Sequence, residues 1–177
     1  MKTCIYILAV LFSVAVGCKK DGNGGGGPSN KTVSTQDRSF VMKASMGNYA
    51  EIQAGQLAVT HSTNTAIQNF ASQMVTDHSA AQAQLHTIAM NLSIYAPDSL
   101  DSAHVALQNL LMILTGAAFD SVYINSQVLD HAKAIALYSA EVTIGTNSQV
   151  KTYALTKLPV IQMHKQEADS LANLYGH

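Results

Sequence analysis

The sequence predicts an all-α protein of four long helices, with a long, helix-containing crossover between the second and the third. Three observations predict it. From Ser34 onward, apolar residues recur at a spacing near 3.5 and strand alternation is absent. Pro is confined to Pro28, Pro97 and Pro159, while Ala, Ser, Thr, Gln and Asn dominate the polar positions. Two of the breaks in the helical pattern are short, and one, between the second and third long helices, is about 25 residues.

Composition bounds the function before any motif does. The chain has 177 residues, a length that suits one domain. Lys plus Arg number 10 and Asp plus Glu 11, for a net charge of −1, so no basic surface is available to displace counterions from DNA or RNA. Apolar residues make up 47%, which excludes disorder throughout. No apolar run after the N-terminus is long enough to cross a bilayer.

The first residues read as an address and a tether. Lys2 precedes an apolar stretch from Ile5 to Val16, the length of a signal-peptide core rather than of a membrane span. It ends at Ala15-Val16-Gly17-Cys18, which resembles the lipobox of bacterial lipoproteins. Residues 1–17 would then be a removed lipoprotein signal peptide, and Cys18 would carry the lipid. Cys4 goes with the leader, so no thiol remains in the folded part and disulfide chemistry is excluded. Residues 18–33 include the glycine-rich run Gly22–Asn30 and form a flexible tether of roughly 20–25 Å. The expected partner is a membrane, reached through the lipid, and the expected location is the bacterial cell envelope, at the periplasmic or outer-membrane face.

The helical domain spans 34–177. Ser34 or Thr35 caps the first helix, with Asp37 in its first turn and an inner seam of Phe40, Ala44, Gly47, Glu51, Ala54 and Ala58. Asn64 caps the second, whose seam reads Ile67, Ala71, Met74, His78, Ala81, Leu85, Ile88 and Leu92. A break at Tyr95–Ser99 leads into a short amphipathic helix over 101–114, closed by Gly116. The third long helix covers about 117–144, with Ile124, Val128, His131, Ile135, Tyr138 and Val142 inward and Gly145 as its C′ residue. Asn147 or Ser148 caps the fourth, whose seam is Val150, Ala154, Leu158, Ile161, His164, Ala168, Leu171 and Tyr175. Pro159 predicts a kink within a turn. The long crossover lets the third helix run parallel to the second, which is the ferritin-like arrangement.

Each seam carries one strongly polar residue: Glu51, His78, His131 and His164. Counted from the hairpin turns at 1.5 Å per residue, the four lie within about 5 Å of one level. Three imidazoles and a carboxylate in a dry core are ligands for one divalent transition metal such as zinc, copper or iron. Glu167, one turn after His164, and Asp77 and Asp130, which precede two of the histidines but point to neighbouring faces, are the carboxylates at hand to support the ligating rings. The same four residues could instead satisfy one another as a buried hydrogen-bond network. His61, Asp120 and Tyr123, nearer the first hairpin turn, read as structural polar residues. No catalytic residue is assigned, since no nucleophile elbow, phosphate loop or HExxH pattern is present.

Several of these residues sit in recognisable strings. Phe40-Val41, Ala44, Gly47, Glu51 and Gly55-Gln56-Leu57-Ala58 resemble the first helix of the domain-of-unknown-function 4142 family. Phe70-Ala71-Ser72-Gln73-Met74-Val75-Thr76-Asp77-His78 is similar to that family's "FA-x-x-M-v-x-DH". Leu114-Thr115-Gly116, Phe119-Asp120, Tyr123 and His131 match its "L-x-G-x-x-FD-x-x-Y…H" region. The resemblance implies an exported ferritin-like bundle, and Glu51, Asp77, His78, Asp120, Tyr123 and His131 carry it. A carboxylate-bridged di-iron centre is poorly supplied, because no Glu-x-x-His occurs; His164-x-x-Glu167 is the reverse order. Two functions follow as alternatives: an exported lipoprotein binding one metal ion, or a non-enzymatic structural or interaction lipoprotein.

Overall fold

A computed structural model describes residues 32–177; the signal-peptide segment, Cys18 and most of the tether lie outside them. The described residues form five helices and no strand: α1 (Thr35–His61), α2 (Thr65–Leu92), α3 (Ser102–Ile113), α4 (Gly116–Ile144) and α5 (Ser148–Tyr175). None is long and apolar enough to cross a membrane.

The helix starts are set by local chemistry. Ser34 caps α1 reciprocally: its hydroxyl accepts from the Asp37 N–H, and the Asp37 carboxylate accepts from the Ser34 N–H. Asn64 and Asn147 cap α2 and α5 through their side-chain oxygens. The ends differ from expectation at Gly145. Its φ is −59°, so no left-handed turn requires glycine there. The reason is space: a Cβ at Gly145 would overlap the Glu141 carboxylate folded against it. α5 stays helical through Pro159, and Leu155, whose carbonyl loses its donor there, is exposed to water.

Pairings across the helices fix their directions. Asp37 meets Thr146, Glu51 meets His131 and His61 stacks on Phe119, so α1 and α4 run antiparallel. Ser45 meets Gln82 and Asn48 meets His78, so α1 and α2 are antiparallel as well. Hence α2 and α4 are parallel. The crossover that permits this lies against α1 and α2, where the Ser45 hydroxyl donates to the Pro97 carbonyl and the Gln82 amide to Asp98.

The interior is two apolar clusters with a polar layer between them. One cluster gathers Phe40, Leu85, Tyr138, Val150, Tyr153 and their neighbours. The other gathers Ile67, Phe70, Met74, Leu111, Phe119, Tyr123 and Ile124. Between them lie Asn48, Glu51, His78, Gln127, His131 and His164, all buried. On α4 the buried line is shifted from the expected seam: Val128, Ile135 and Val142 are only half-buried, whereas Asp120, Tyr123, Gln127 and Glu141 are inside. The helix packs against both α1 and α5, so its inner face is wider than one seam.

Candidate metal centre

The three histidines come from three helices: His78 from α2, His131 from α4 and His164 from α5. Their ring centroids are 5.8, 5.5 and 5.5 Å apart, a nearly equilateral triangle. One ring nitrogen from each lies within 4.8 Å of the other two, a spacing that could hold a metal ion.

Each ring has one nitrogen engaged and one free. His131 Nδ1 is 2.9 Å from the Gln127 carbonyl, His164 Nε2 is 2.9 Å from Asp77 Oδ2, and His78 Nδ1 is 3.0 Å from Asn48 Oδ1. All three partners only accept, so the engaged nitrogens carry the hydrogens. The free nitrogens, His78 Nε2, His131 Nε2 and His164 Nδ1, are buried without a partner. This is the outer support that ligating imidazoles need: a fixed tautomer and a fixed ring.

The orientation of Asn48 is itself determined. Asp98 accepts from Gln82 Nε2 at 2.6 Å, which turns Gln82 Oε1 toward Asn48 Nδ2 at 3.2 Å and leaves Asn48 Oδ1 for His78. Gln82 Nε2 also donates to the Ser45 hydroxyl at 2.8 Å and Asn48 Nδ2 to the Tyr153 hydroxyl at 3.1 Å, so the ring's tautomer is set by a network that extends to a carboxylate on the crossover.

Burial works against protonation of two of the rings. Burial pushes His78 well below the ordinary histidine range, and repulsion from His131 and His164 adds to it. Burial also lowers His164, partly opposed by Asp77. Neutral imidazole is the form that binds a metal.

Glu51 reaches this layer from α1 but stands apart from the three nitrogens. Its Oε1 is 3.7 Å from His131 Nδ1, the engaged side of that ring, and its Oε2 is buried without a partner. Burial raises its carboxyl, against the pull of His131 and Gln127.

The other expected residues are dispersed. Asp77 holds His164 on the opposite helix rather than its neighbour His78. Asp130 turns away to Lys133 (2.7 Å) and toward His104 (3.6 Å) on α3. Glu167 is exposed, so the carboxylate one turn past His164 does not orient it. His61 stacks on Phe119 and meets the Leu57 carbonyl, with no bond to Asp120. Asp120 Oδ1 and the Tyr123 hydroxyl are buried and unpartnered. Asn48 and Gln127 had no distinguishing mark among many amides; their only signal is one-turn spacing from Glu51 and His131.

Two cavities flank the triangle. One of about 400 Å³ reaches His78, His131 and Glu51. The other, of about 120 Å³, reaches His78, His164 and Asp77.

Fold and site define a class: a helical bundle with three convergent, buried imidazoles that could hold a metal ion. The chain belongs to the family described as "Domain of unknown function (DUF4142)", whose model matches residues 25–171. Its fold is similar to a crystal structure of a DUF305 fragment from Deinococcus radiodurans, with a TM-score of 0.71. Identity is 10%, over 80% of this chain and 97% of that one, so the likeness concerns fold alone. No curated protein matches the chain.

Proposed function

We propose that the protein binds one divalent transition-metal ion, zinc, copper or iron, through His78 Nε2, His131 Nε2 and His164 Nδ1, within a ferritin-like four-helix bundle. The observation that carries this reading is three rings that bring one nitrogen each within 4.8 Å of the other two, each ring with one buried nitrogen lacking a partner and its opposite nitrogen held by an oxygen. A network built only for hydrogen bonding would pair those nitrogens; here they are left over. Three nitrogen donors suit these metals and leave a coordination position open. Glu51 stands behind His131 rather than beside the ion.

The leader and Cys18 support an exported, lipid-anchored protein of the bacterial envelope, joined to its membrane by the tether. No nucleic-acid partner is proposed, in keeping with the net charge of −1.

The test is elemental analysis after loading with each metal and removing the excess. About one ion per chain is expected, and none in the variant combining His78→Ala, His131→Ala and His164→Ala. Absence of retained metal, or equal retention in that variant, overturns the reading. Loss of membrane association in Cys18→Ser tests the anchor separately.

A further inference from the structure

The larger cavity has features that an ion alone does not require. It is about 400 Å³, within the range of small-molecule pockets and far larger than a water or an ion needs. Its lining includes the buried polar residues His78, His131 and Glu51, two of them from the histidine triangle. Its walls are apolar, with Ala44, Ala134, Leu137 and Ile161. Exposed Lys43 and Lys133 also line it, together with Asp101, His104 and Asp130, the last bonded to Lys133 at 2.7 Å.

Gly47 is the second observation. It lies in the middle of α1 and lines this cavity, and a Cβ placed on it would meet nothing within 4 Å. Glycine is a poor residue for a helix interior, and no neighbour excludes a side chain here. The contrast is Gly55 on the same helix, where a Cβ would lie 2.9 Å from Val75 and 3.0 Å from the Ala71 carbonyl. Packing accounts for Gly55. At Gly47 what the missing side chain preserves is empty volume.

We propose that this cavity binds a small, mostly apolar molecule with an anionic oxygen head, the head completing the coordination of the ion and the tail lying along Gly47, Ala134, Leu137 and Ile161. This rests on the metal reading above. Charge supports the anionic head: imidazole ligates a metal as an uncharged donor, so three of them leave a divalent ion uncompensated, and Glu51 lies on the Nδ1 side of His131.

Hydroxamates are suitable probes, because one oxygen-donor head can carry different tails. Zinc-loaded full-length protein, with its metal content measured first, is titrated calorimetrically with acetohydroxamate and with hexanohydroxamate. The longer tail should bind at least about tenfold tighter, the gain expected from burying several methylenes. Gly47→Leu should retain its zinc and melt no lower than the parent, yet bind the two probes within about twofold of each other. Retained zinc with no tail preference in the parent, or an undiminished preference in Gly47→Leu, overturns this proposal and leaves the metal site standing. No retained zinc overturns both. A Gly47→Ala variant, which adds one methyl, should keep most of the preference and guards against a folding defect in the leucine variant.

Discussion

Asp77 Oδ2 lies 2.9 Å from His164 Nε2, so a residue of α2 fixes a ring of α5 while the adjacent residue, His78, turns into the core. Successive positions on a helix point about 100° apart. One therefore contributes a donor to the triangle and the other supports a donor from across the bundle. Carboxylate support raises the basicity of a ligating imidazole and holds its tautomer. Asp77→Ala should weaken metal affinity roughly 10–100-fold, with little change in the melting temperature of the metal-free protein. A competition titration against a chelator of known affinity measures it.

His131→Ala should separate the metal from the fold. In the parent, ion at 100 times its dissociation constant should add about 2.7 kcal/mol of stability. The variant should lose most of that increment. Thermal melts with and without metal decide the matter; an equal metal-induced shift in both proteins would exclude His131 as a ligand.

Asp98 acts at a distance through Gln82 and Asn48. Asp98→Ala removes the shortest of the bonds that orient the Gln82 amide, leaving the Ser45 and Tyr153 hydroxyls to hold the two amides against a turn that would present the Asn48 NH₂ to His78. The expected result is a partial effect: weaker metal binding with a fraction of His78 in the altered tautomer, visible in the nitrogen shifts of its imidazole by NMR. Unchanged shifts would break the proposed relay.

Glu141 gives the pH dependence. Its carboxyl is pushed up to about 7, by burial first and then by the neighbouring Asp37. The folded state therefore holds a proton that the unfolded state, at its ordinary value of about 4.5, releases earlier. Stability should fall as pH rises from about 4.5 to about 7, and Glu141→Gln should remove that slope. At pH 8 the variant should be more stable by about 1–2 kcal/mol, less than the full shift because the substituted amide does not reproduce every contact of the protonated acid. Urea denaturation at several pH values tests the sign. Asp37 works oppositely. Despite burial, hydrogen bonds from Ser34 and Thr146 hold it well below the usual carboxylate range, so its contribution is lost only in acid.

The two glycines of α1 should respond with opposite signs. Gly47→Ala should stabilise by about 0.5–1 kcal/mol, because the helix gains and nothing is displaced. Gly55→Ala should destabilise, since Val75 and the Ala71 carbonyl must give way. Chemical denaturation of both variants checks the pair.

Sequence alone carried the helical class and most helix boundaries, because caps such as Ser34, Asn64 and Asn147 and the 3.6-residue period are local properties. It also carried the depth of His78, His131 and His164, since height along a helix is residue count times a fixed rise. What it could not carry is the direction of each nitrogen. That depends on rotamers and on partners from other helices: Asp77 rather than Glu167 for His164, Asn48 for His78, and the Gln127 carbonyl for His131. Height likewise brought Glu51 to the level of the triangle, but only packing placed it on the far side of His131. The empty space beside Gly47 belongs to the tertiary structure alone, because a cavity is a relation among helices and no single helix records it.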